Sequence, residues 1–522
     1  MSRPRVARAP LVAAGILLSR LTGLIRQRVL AHFLGLTDAA DAFAAAFRIP
    51  NFLQNLFGEG VLSASFIPVY VRLQAQGRPQ EARDVAKAVA GLLFLVVALL
   101  VALGVTIAPW LATVIAPGFT AAKRELAVQI IRILFPGTGL LVLSAWCLGI
   151  LNSHRKFFLS YAAPVVWNAA IIVATLLPPR GTATETLVLW TAWGAVAGGL
   201  LQFAIQLPAV WRVNGPIRAS LGRGDANVRT VLGNFVPAFF ARGVVQISAF
   251  VDSILASFLP TGAVAALANA QTLYTLPVSL FGMSVAAAEL PELSAAAAGA
   301  DDSSRLLRER LERAMAQVAF FIVPSAVAMA ALGHVIAGAV FQTGLFSQED
   351  ARYVWGILAG STVGLLAGTL GRLYSSTWYA LHETRLPLKF AIARVLLTIV
   401  LGYLAALRLP GLLGIPPRWG AAGLTMSAGI AGWLEFLLLR RSLDRRIGAT
   451  RLSPGYAARL WIPALLAAGT GWGVLLLLRG RGGPIATAVA VLLPFGAVYL
   501  AGTLLLRVPL AHRLIGRPLS SA

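Results

Sequence analysis

The chain has 522 residues, of which 58% are hydrophobic and only 12% charged, and its mean hydropathy is +0.78. This composition excludes soluble multi-domain proteins and is typical of proteins that cross a membrane many times. The formal charge of +24 does not indicate nucleic-acid binding, because the basic residues cluster between apolar runs, where the positive-inside rule predicts them. The single cysteine, Cys147, excludes a disulfide or a cysteine-based metal site within the chain.

The first predicted membrane helix carries charges that a bilayer disfavours. Arg20, Arg26 and Arg28 lie within the otherwise apolar run LVAAGILLSRLTGLIRQRVLAHFLG. Each of these charges costs several kcal/mol at the centre of an isolated helix, so such residues normally face protein or water. We therefore expect this helix to border a polar chamber within the membrane.

The second predicted helix, from 39 to 74, is polar and kinked. Its polar residues include Asp41, Arg48, Asn51, Gln54, Asn55 and Glu59. Asp41 and Arg48 lie seven residues apart, so they project from nearly the same face. Pro50 interrupts the helical hydrogen bonds, and Pro68 is expected to interrupt them again. A helix of this kind is tolerated in a membrane where it lines a cavity.

Fourteen apolar runs of about 20 residues or more predict an all-α polytopic protein with fourteen transmembrane helices. The approximate spans are 10–35, 39–74, 86–114, 122–151, 160–178, 185–211, 228–259, 262–294, 309–339, 350–382, 387–407, 418–440, 456–478 and 484–506. The loops alternate in charge along this series. One set is rich in arginine, as in 212–229 and 440–451, so both termini and these loops are expected to face the cytoplasm.

Short motifs recur with a spacing near 225 residues and indicate an internal repeat. The matches are AHFLG at Ala31 with ASFLP at Ala256, LFG at Leu56 with LFG at Leu280, GLL at Gly139 with GLL at Gly364, and WGA at Trp193 with WGA at Trp419. Six helices per repeat is an even number, so the two six-helix lobes are expected to be related by a pseudo-two-fold axis along the membrane normal. The predicted domains are 1–215, 216–445 and a two-helix extension with a short tail, 446–522.

Catalytic motifs are missing from the sequence. The five histidines are scattered, and no HExxH, GxSxG or glycine-rich phosphate loop precedes a suitable helix. Glu289 and Glu292 resemble a carboxylate pair, but their spacing around Pro291 favours a helix end near the cytoplasmic interface. We therefore predict a protein that is not an enzyme and that needs no metal and no cofactor.

A basic cavity inside a membrane implies an anionic substrate. The planar fork of arginine suits phosphate or pyrophosphate oxygens better than it suits a sodium ion or an apolar drug. The two extra helices at the end of the chain provide room for a lipid-facing groove. This combination suits a polar, anionic head group attached to a long lipid tail.

At this point the sequence resembles a known family. GILLSRLTGLIRQRVLAHFLG, followed by DAFAAAFRIPNFLQNLFGEGVLSASFIPVY, is similar to the MurJ (MviN) family of lipid II flippases in the MOP exporter superfamily. The likeness continues through LGILNSHRKFFLSYAAPVVWN, VPAFFARGVVQISAFVDSILASFL, LPVSLFGMSVAAAELPELS and VFQTGLFSQED, and it covers about the first 440 residues. The family also has fourteen helices.

The resemblance implies translocation of an undecaprenyl-pyrophosphate-linked peptidoglycan precursor from the cytoplasmic to the outer leaflet by alternating access. It places the chain in the bacterial cytoplasmic membrane, with a role in cell-wall biogenesis and cell shape. The implied partners are the lipid-linked precursor, membrane lipids and candidate cell-wall synthesis proteins. The family positions that carry over are Arg20 and Arg26 in helix 1, Asp41 in helix 2, Glu59 of the GEG motif and Arg372 in helix 10.

The chain departs from the family pattern in helix 8, where a common arginine is replaced within NAQTLYTLP by Gln271 or Thr272. We expect Arg242 to compensate, because it lies deep in predicted helix 7 between two small residues. Arg242 therefore joins Arg20, Arg26, Asp41, Arg48, Asn51, Glu59 and Arg372 as a predicted substrate-binding residue.

Two alternative functions stay open at the level of sequence. Another polyprenyl-pyrophosphate glycan, such as an O-antigen or exopolysaccharide unit, presents the same phosphate and tail to the cavity. A membrane-embedded transferase is the other alternative, although a catalytic base and metal ligands are hard to find. Asp252 and Glu383 are candidate sites for coupling to a cation or a proton, and structural contact between helices is an equally good explanation for both.

Overall fold

The computed structural model describes residues 9–216, 220, 222, 225–298, 303–478 and 480–515. These residues form helices joined by short turns, and no β-strand occurs among them. The predicted all-α membrane fold is confirmed. The chain separates into two compact units, Met1–Ala265 with Thr343–Leu345, and Ala266–Gln342 with Phe346–Ala522.

The first unit contains the helices of the N-terminal half. They are α1 (Ala9–Leu34), α2 (Asp38–Ala46), α3 (Arg48–Gln54), α4 (Ser63–Ala75), α5 (Pro79–Thr106), α6 (Ala108–Ile115), α7 (Ala121–Ser153), α8 (Phe157–Leu176), α9 (Thr184–Asn214) and α10 (Ala226–Ala256). A π-helical segment, Asn55–Leu62, joins α3 to α4.

The second unit contains the remaining helices, apart from the first turn of α11. They are α11 (Ala263–Pro277), α12 (Ser284–Ala298), α13 (Ser303–Phe341), α14 (Gln348–Thr362), α15 (Leu365–Ala380), α16 (Arg385–Tyr403), α17 (Leu409–Leu413), α18 (Gly420–Ile447), α19 (Pro454–Leu478), α20 (Pro484–Leu505) and α21 (Pro509–Leu514). Two further π-helical segments, Val278–Met283 and Leu404–Arg408, and a 3-10 turn, Pro417–Trp419, lie between them.

Nine helical spans within the described residues are long and apolar enough to cross a membrane. A tenth is formed by α14 and α15 if this pair, bent by 44°, counts as one span. Several of the other predicted spans fail this test for a visible reason: the span 39–74 is interrupted, and the apolar part of α8, Ala162–Leu176, is short. The number of fourteen transmembrane helices stays a prediction.

The second predicted helix breaks at other places than its prolines suggested. The first break falls at Phe47, and Pro50 lies in the first turn of α3, where its missing N–H leaves no hydrogen bond unmade. The expected break at Pro68 is wrong, because α4 continues through this residue. The irregularity lies instead at Asn55–Leu62, a π-helical segment that joins α3 to α4.

The same irregularity occurs at both copies of one repeated motif. LFG at Leu56 lies in the π-helical segment Asn55–Leu62, and LFG at Leu280 lies in the segment Val278–Met283. Single π-helical turns are uncommon and are frequent at functional sites. Their recurrence at corresponding positions adds a structural match to the repeat that the sequence indicates.

Each unit has its own apolar core. In the first unit, Phe66 and Tyr70 of α4 pack with Val85 of α5 and with Cys147 and Ile150 of α7. Cys147 is fully buried there, as expected for a small core residue.

In the second unit, the last two long helices, α19 and α20, pack against α13. Side chains such as Val323 and Leu332 of α13 meet Ala464 of α19 and Val491 of α20. Three side chains also donate hydrogen bonds to backbone carbonyls of α13. These bonds are Tyr456 Oη to Ala316 O (3.1 Å), Trp472 Nε1 to Ala331 O (3.1 Å) and Tyr499 Oη to Phe320 O (2.6 Å).

Candidate functional site

The best-defined cation of the first unit is Arg26 on α1. Its guanidinium carbon lies 5.2 Å from the centroid of the Phe47 ring and 5.3 Å from that of Trp167. The two rings stack on each other at 5.4 Å, so the three groups form a nearly equilateral triangle. Arg26 Nη1 donates to Asn168 Oδ1 at 3.0 Å. The guanidinium of this α1 residue is therefore held by Phe47, just after α2, and by two side chains of α8.

A second layer of contacts fixes the partners of Arg26. Trp167 Nε1 donates to the carbonyl of Ala195 on α9 at 3.0 Å, and a Cβ at Gly198 would lie 2.8 Å from the Trp167 ring. Glycine at this position of α9 is therefore what leaves room for the indole. Asn168 Nδ2 points back to Thr22 Oγ1 on α1 at 3.4 Å, which orients its carbonyl oxygen towards Arg26.

This arrangement keeps Arg26 available for an anion. No carboxylate pairs with it among the described residues, and its buried Nε has no hydrogen-bond partner there. Contact with aromatic faces contributes about 0.5–2 kcal/mol per contact and neutralises no charge. A planar cation held in this way retains donors for phosphate oxygens. Arg20, six residues earlier on α1, is exposed.

Asp41 has a different environment, because its carboxylate is only 1% exposed and fully engaged. Oδ2 accepts from Lys123 Nζ on α7 at 2.9 Å and from the backbone N–H of Gly262 at 2.8 Å. Oδ1 accepts from the backbone N–H of Ala265 at 2.9 Å. The carboxylate thus caps the start of α11, whose first N–H groups have no partner inside the helix. These contacts are structural, and a role of Asp41 in substrate binding stays a prediction.

Lys123 is shared with a second carboxylate, that of Asp38 at the beginning of α2. Lys123 Nζ lies 2.5 Å from Asp38 Oδ1, and Thr261 Oγ1 donates to the same oxygen at 2.8 Å. Partial burial raises the pKa of Asp38, but the contacts with Lys123 and Thr261 outweigh it and hold this pKa below its ordinary value. The Asp38 side chain is about half exposed, in contrast to that of Asp41.

Arg48 and Asp252 interact electrostatically within the first unit. Arg48 is the first residue of α3, and Asp252 lies in the last turns of α10. This attraction gives Asp252 a structural partner, while its predicted coupling role stays a prediction. Asn51 is exposed on α3. Glu59 and Arg242 belong to the segment Asn55–Leu62 and to α10, but their side chains lie outside the described residues.

The second unit contains an ion pair that the sequence analysis did not single out. Arg394 Nη1 of α16 lies 3.1 Å from Glu435 Oε2 of α18, and the side chains are 36% and 16% exposed. Arg372 of α15, predicted as a substrate-binding residue, is exposed and interacts electrostatically with both members of this pair. The three charges sum to +1, so the cluster is basic.

Glu383, the other predicted coupling residue, lies in the turn between α15 and α16. Its Oε1 accepts from the backbone N–H of Arg385 at 2.8 Å. Arg385 is the first residue of α16, so its N–H has no acceptor within the helix. Coupling at Glu383 stays a prediction. Among the described residues, no group of three or more His, Cys, Asp or Glu side chains is arranged to hold a metal ion.

Several residues that form these sites were missed at the level of sequence. They include Phe47, Lys123, Trp167, Asn168, Arg394 and Glu435. A usable signal existed for two of them: Glu435 is a lone acid within the apolar run 418–440, and Arg394 is a cation well inside 387–407, whereas Lys389 lies near the start of that run. Ionisable residues in such runs are functional candidates by default. Trp167 and Asn168 carried no comparable signal, since their role depends on contact with Arg26.

Comparison with known proteins gives a consistent result. The family model described as "Lipid II flippase MurJ" matches residues 30–492. The lipid II flippase MurJ of Burkholderia cenocepacia is 32% identical over 462 residues, covering 86% of each chain. The probable lipid II flippase MurJ of Bdellovibrio bacteriovorus is 30% identical over 515 residues, covering 94% of each chain.

Solved structures show the same fold at lower identity. A lipid II flippase MurJ in an inward closed conformation aligns with a TM-score of 0.78 and 23% identity, over 97% of this chain and 100% of that one. An inward-facing multidrug resistance MATE family transporter of the MOP superfamily aligns with a TM-score of 0.67 and 18% identity, over 84% of this chain and 98% of its own. Since the family model covers most of the sequence and both relatives match along nearly their whole length, this chain belongs to the MurJ family of lipid II flippases.

Proposed function

We propose that this chain translocates lipid II, the undecaprenyl-pyrophosphate-linked peptidoglycan precursor, from the cytoplasmic to the outer leaflet of the bacterial cytoplasmic membrane by alternating access. The observation that carries the proposal is the match of residues 30–492 to the lipid II flippase family. Both termini are placed in the cytoplasm on the basis of the loop charges.

Arg26 is the residue to which we assign contact with the pyrophosphate. It is a cation inside a membrane helix with no carboxylate partner among the described residues, and aromatic and amide side chains hold it in one orientation. Arg20, on the same helix and exposed, is assigned to the same head group. They lie six residues apart, about 120° around the helix, so they suit a broad head group better than a small ion.

Arg48, Asn51, Glu59, Arg242 and Arg372 stay as proposed contributors to the substrate site. Arg372 adds the positive charge of its cluster in the second unit. For Asp41 we propose mainly a structural role, because Lys123, Gly262 and Ala265 already donate to its carboxylate. The neighbouring Asp38 accepts from Thr261.

The test is complementation of cells depleted of their own lipid II flippase. Expression of this chain should restore growth and the appearance of lipid II at the outer leaflet. Arg26→Ala should abolish this rescue at an unchanged protein level, whereas Arg26→Lys should retain part of it, because lysine keeps the charge but loses the planar fork. Arg180→Ala, in the exposed loop between α8 and α9, is the matched control and should rescue fully.

The chain could insert well and still fail to restore lipid II export. If it then restored export of an O-antigen unit in a strain that lacks its O-antigen flippase, the substrate would be another polyprenyl-pyrophosphate glycan. Full rescue by Arg26→Ala would remove Arg26 from the substrate site.

A further inference from the structure

The first unit contains an apolar cavity of about 380 Å³, and no charged side chain lines it among the described residues. It lies between α3, α5, α6, α7 and α10. Each of these helices contributes apolar side chains to the lining, among them Phe52, Leu103, Val114, Phe135 and Ile254. Cavities of roughly 300–1,000 Å³ are the size that proteins use for small ligands.

The chemistry of this lining determines what can occupy the cavity. Apolar cavities stay dry, because a water molecule needs two to four polar partners. An unfilled cavity is also unfavourable, since the atoms that line it lose the dispersion contacts that a dense interior provides. The occupant is therefore a hydrocarbon group.

The cavity has access to the lipid around the protein. Leu103 of α5 is 49% exposed and Val114 of α6 is 43% exposed, and both also line the cavity. α5 is one of the helices apolar enough to cross a membrane. A chain of a bilayer lipid thus reaches the cavity from the side, between α5 and α6.

Charged residues lie just beyond one end of the cavity. Ile115, the last residue of α6, is followed by a loop whose Pro117 and Phe119 carbonyls accept from Arg124 Nη2 at 3.2 and 3.0 Å. Gly118 N in this loop donates to Ser257 Oγ just after α10 at 3.0 Å, which links the loop to α10.

These charges select a class of head group. Arg124 forms no ion pair among the described residues, whereas Lys123 beside it is engaged by Asp38 and Asp41. Glu125 is exposed next to Arg124. The Nη2 atom of Arg124 is engaged by two carbonyls, but its positive charge has no carboxylate partner among the described residues. This charge, with an exposed carboxylate beside it, complements a zwitterionic head group. The five charges from Asp38, Asp41, Lys123, Arg124 and Glu125 sum to −1, which disfavours a pyrophosphate.

We propose that this cavity binds one acyl chain of an aminophospholipid such as phosphatidylethanolamine, with its phosphate at Arg124 and its ammonium group at Glu125. The site is separate from Arg26 and from the substrate proposed above. The lipid fills the space between α6 and α10 and so supports the contact of Gly118 with Ser257.

The test uses phosphatidylethanolamine with a photoactivatable diazirine in one acyl chain, in nanodiscs of phosphatidylcholine that contain the full-length protein. After illumination, peptides from α5 and α6 should carry the label. Leu103→Trp fills the cavity and should lower the labelling of these peptides about tenfold, equivalent to about 1.4 kcal/mol. Leu99→Trp, one turn earlier on α5 and exposed without lining the cavity, is the matched control and should label as the wild type does.

Two further variants test the head group without filling the cavity. Arg124→Gln and Glu125→Gln should each lower labelling by the phosphatidylethanolamine probe. A second probe, phosphatidylglycerol with the same diazirine chain, should label the wild type less, and Glu125→Gln should reduce this difference between the two probes. Thermal unfolding in detergent identifies a variant that fails to fold. If Leu99→Trp and Leu103→Trp lowered the labelling of these peptides equally, the proposed site would be wrong. If the phosphatidylglycerol probe labelled the protein as strongly as the phosphatidylethanolamine probe, the head-group assignment would be overturned. If a polyprenyl phosphate with a diazirine labelled these peptides more strongly than the phosphatidylethanolamine probe, the cavity would belong to the tail of the substrate.

Discussion

At the scale of single residues, Asp41 shows how structural contacts can engage a carboxylate that the sequence marks as a candidate binding group. Its two oxygens accept three hydrogen bonds, from Lys123, Gly262 and Ala265, and leave little of the carboxylate exposed. Nothing in the local sequence indicates this, because Lys123 is 82 positions away and Gly262 is 221 positions away. Long-range contacts of this kind separate a structural charge from a functional one.

Asp41→Asn should destabilise the protein strongly. The amide N–H groups of asparagine would face the N–H donors that now bond to the carboxylate. In addition, the loss of one partner of a buried ion pair costs about 3 kcal/mol. Asp38→Asn is the matched control, since Asp38 contacts the same Lys123 but is about half exposed, and exposed pairs contribute roughly 0–1 kcal/mol. Thermal unfolding in detergent measures the stability of both variants. A similar loss of stability in the two variants would contradict the structural role of Asp41.

The same reasoning explains which parts of the site the sequence could predict. Arg26 was predictable, because a cation in an apolar run is a signal by itself. Its partners Phe47, Trp167 and Asn168 were not, since aromatic and amide residues in membrane helices are common and only their meeting with Arg26 distinguishes them. Glu435 and Arg394 carried the same kind of signal as Arg26 and deserved the same inference.

At the scale of elements, the predicted helices agree with the observed ones where the apolar runs are long and uninterrupted. α7, α9, α13 and α20 begin and end close to the predicted spans 122–151, 185–211, 309–339 and 484–506. The second helix was predicted as kinked, but its distortions lie at Phe47 and at Asn55–Leu62. Proline marks where a helix lacks one hydrogen bond, whereas the position of the bend also depends on glycines and on packing.

The ion pair between α16 and α18 should couple these helices more strongly than a surface pair does. Replacing Arg394 or Glu435 alone with a neutral residue leaves a charge in a poorly hydrated position, while replacing both removes this penalty. A double-mutant cycle with Arg394→Met and Glu435→Leu should give a coupling of about 2 kcal/mol.

The control for this cycle is the pair of Arg418 and Glu349 in the same unit. Its arginine has the same 36% exposure as Arg394, but its glutamate is 71% exposed. Its coupling should stay below about 1 kcal/mol. Equal coupling energies in the two cycles, measured by thermal unfolding in detergent, would show that burial of Glu435 adds nothing.

At the scale of the whole molecule, the orientation in the membrane rests on loop charge. Arg180→Cys and Arg212→Cys place single thiols at opposite ends of α9, in exposed positions, and the native Cys147 is fully buried and should not react. A membrane-impermeant maleimide should label position 180 in intact cells and position 212 only after the membrane is opened. The reverse pattern would place the termini outside the cytoplasm.

The attachment of α19 and α20 to α13 bears on how such proteins gain or lose helices during evolution. The face of α13 beneath them is apolar, with Val323 and Leu332 at its centre, so without these two helices it would meet lipid tails that are equally apolar. Two of the three bonds, from Tyr456 and Trp472, end on carbonyls of α13 that also serve as acceptors within the helix. The third is different, because Tyr499 donates to Phe320 O, whose helical donor would be residue 324, and Pro324 has no N–H. A shorter ancestor or descendant therefore keeps an α13 face that suits lipid, but it needs a change at Pro324 or another donor for the Phe320 carbonyl, because an unsatisfied carbonyl in lipid is costly.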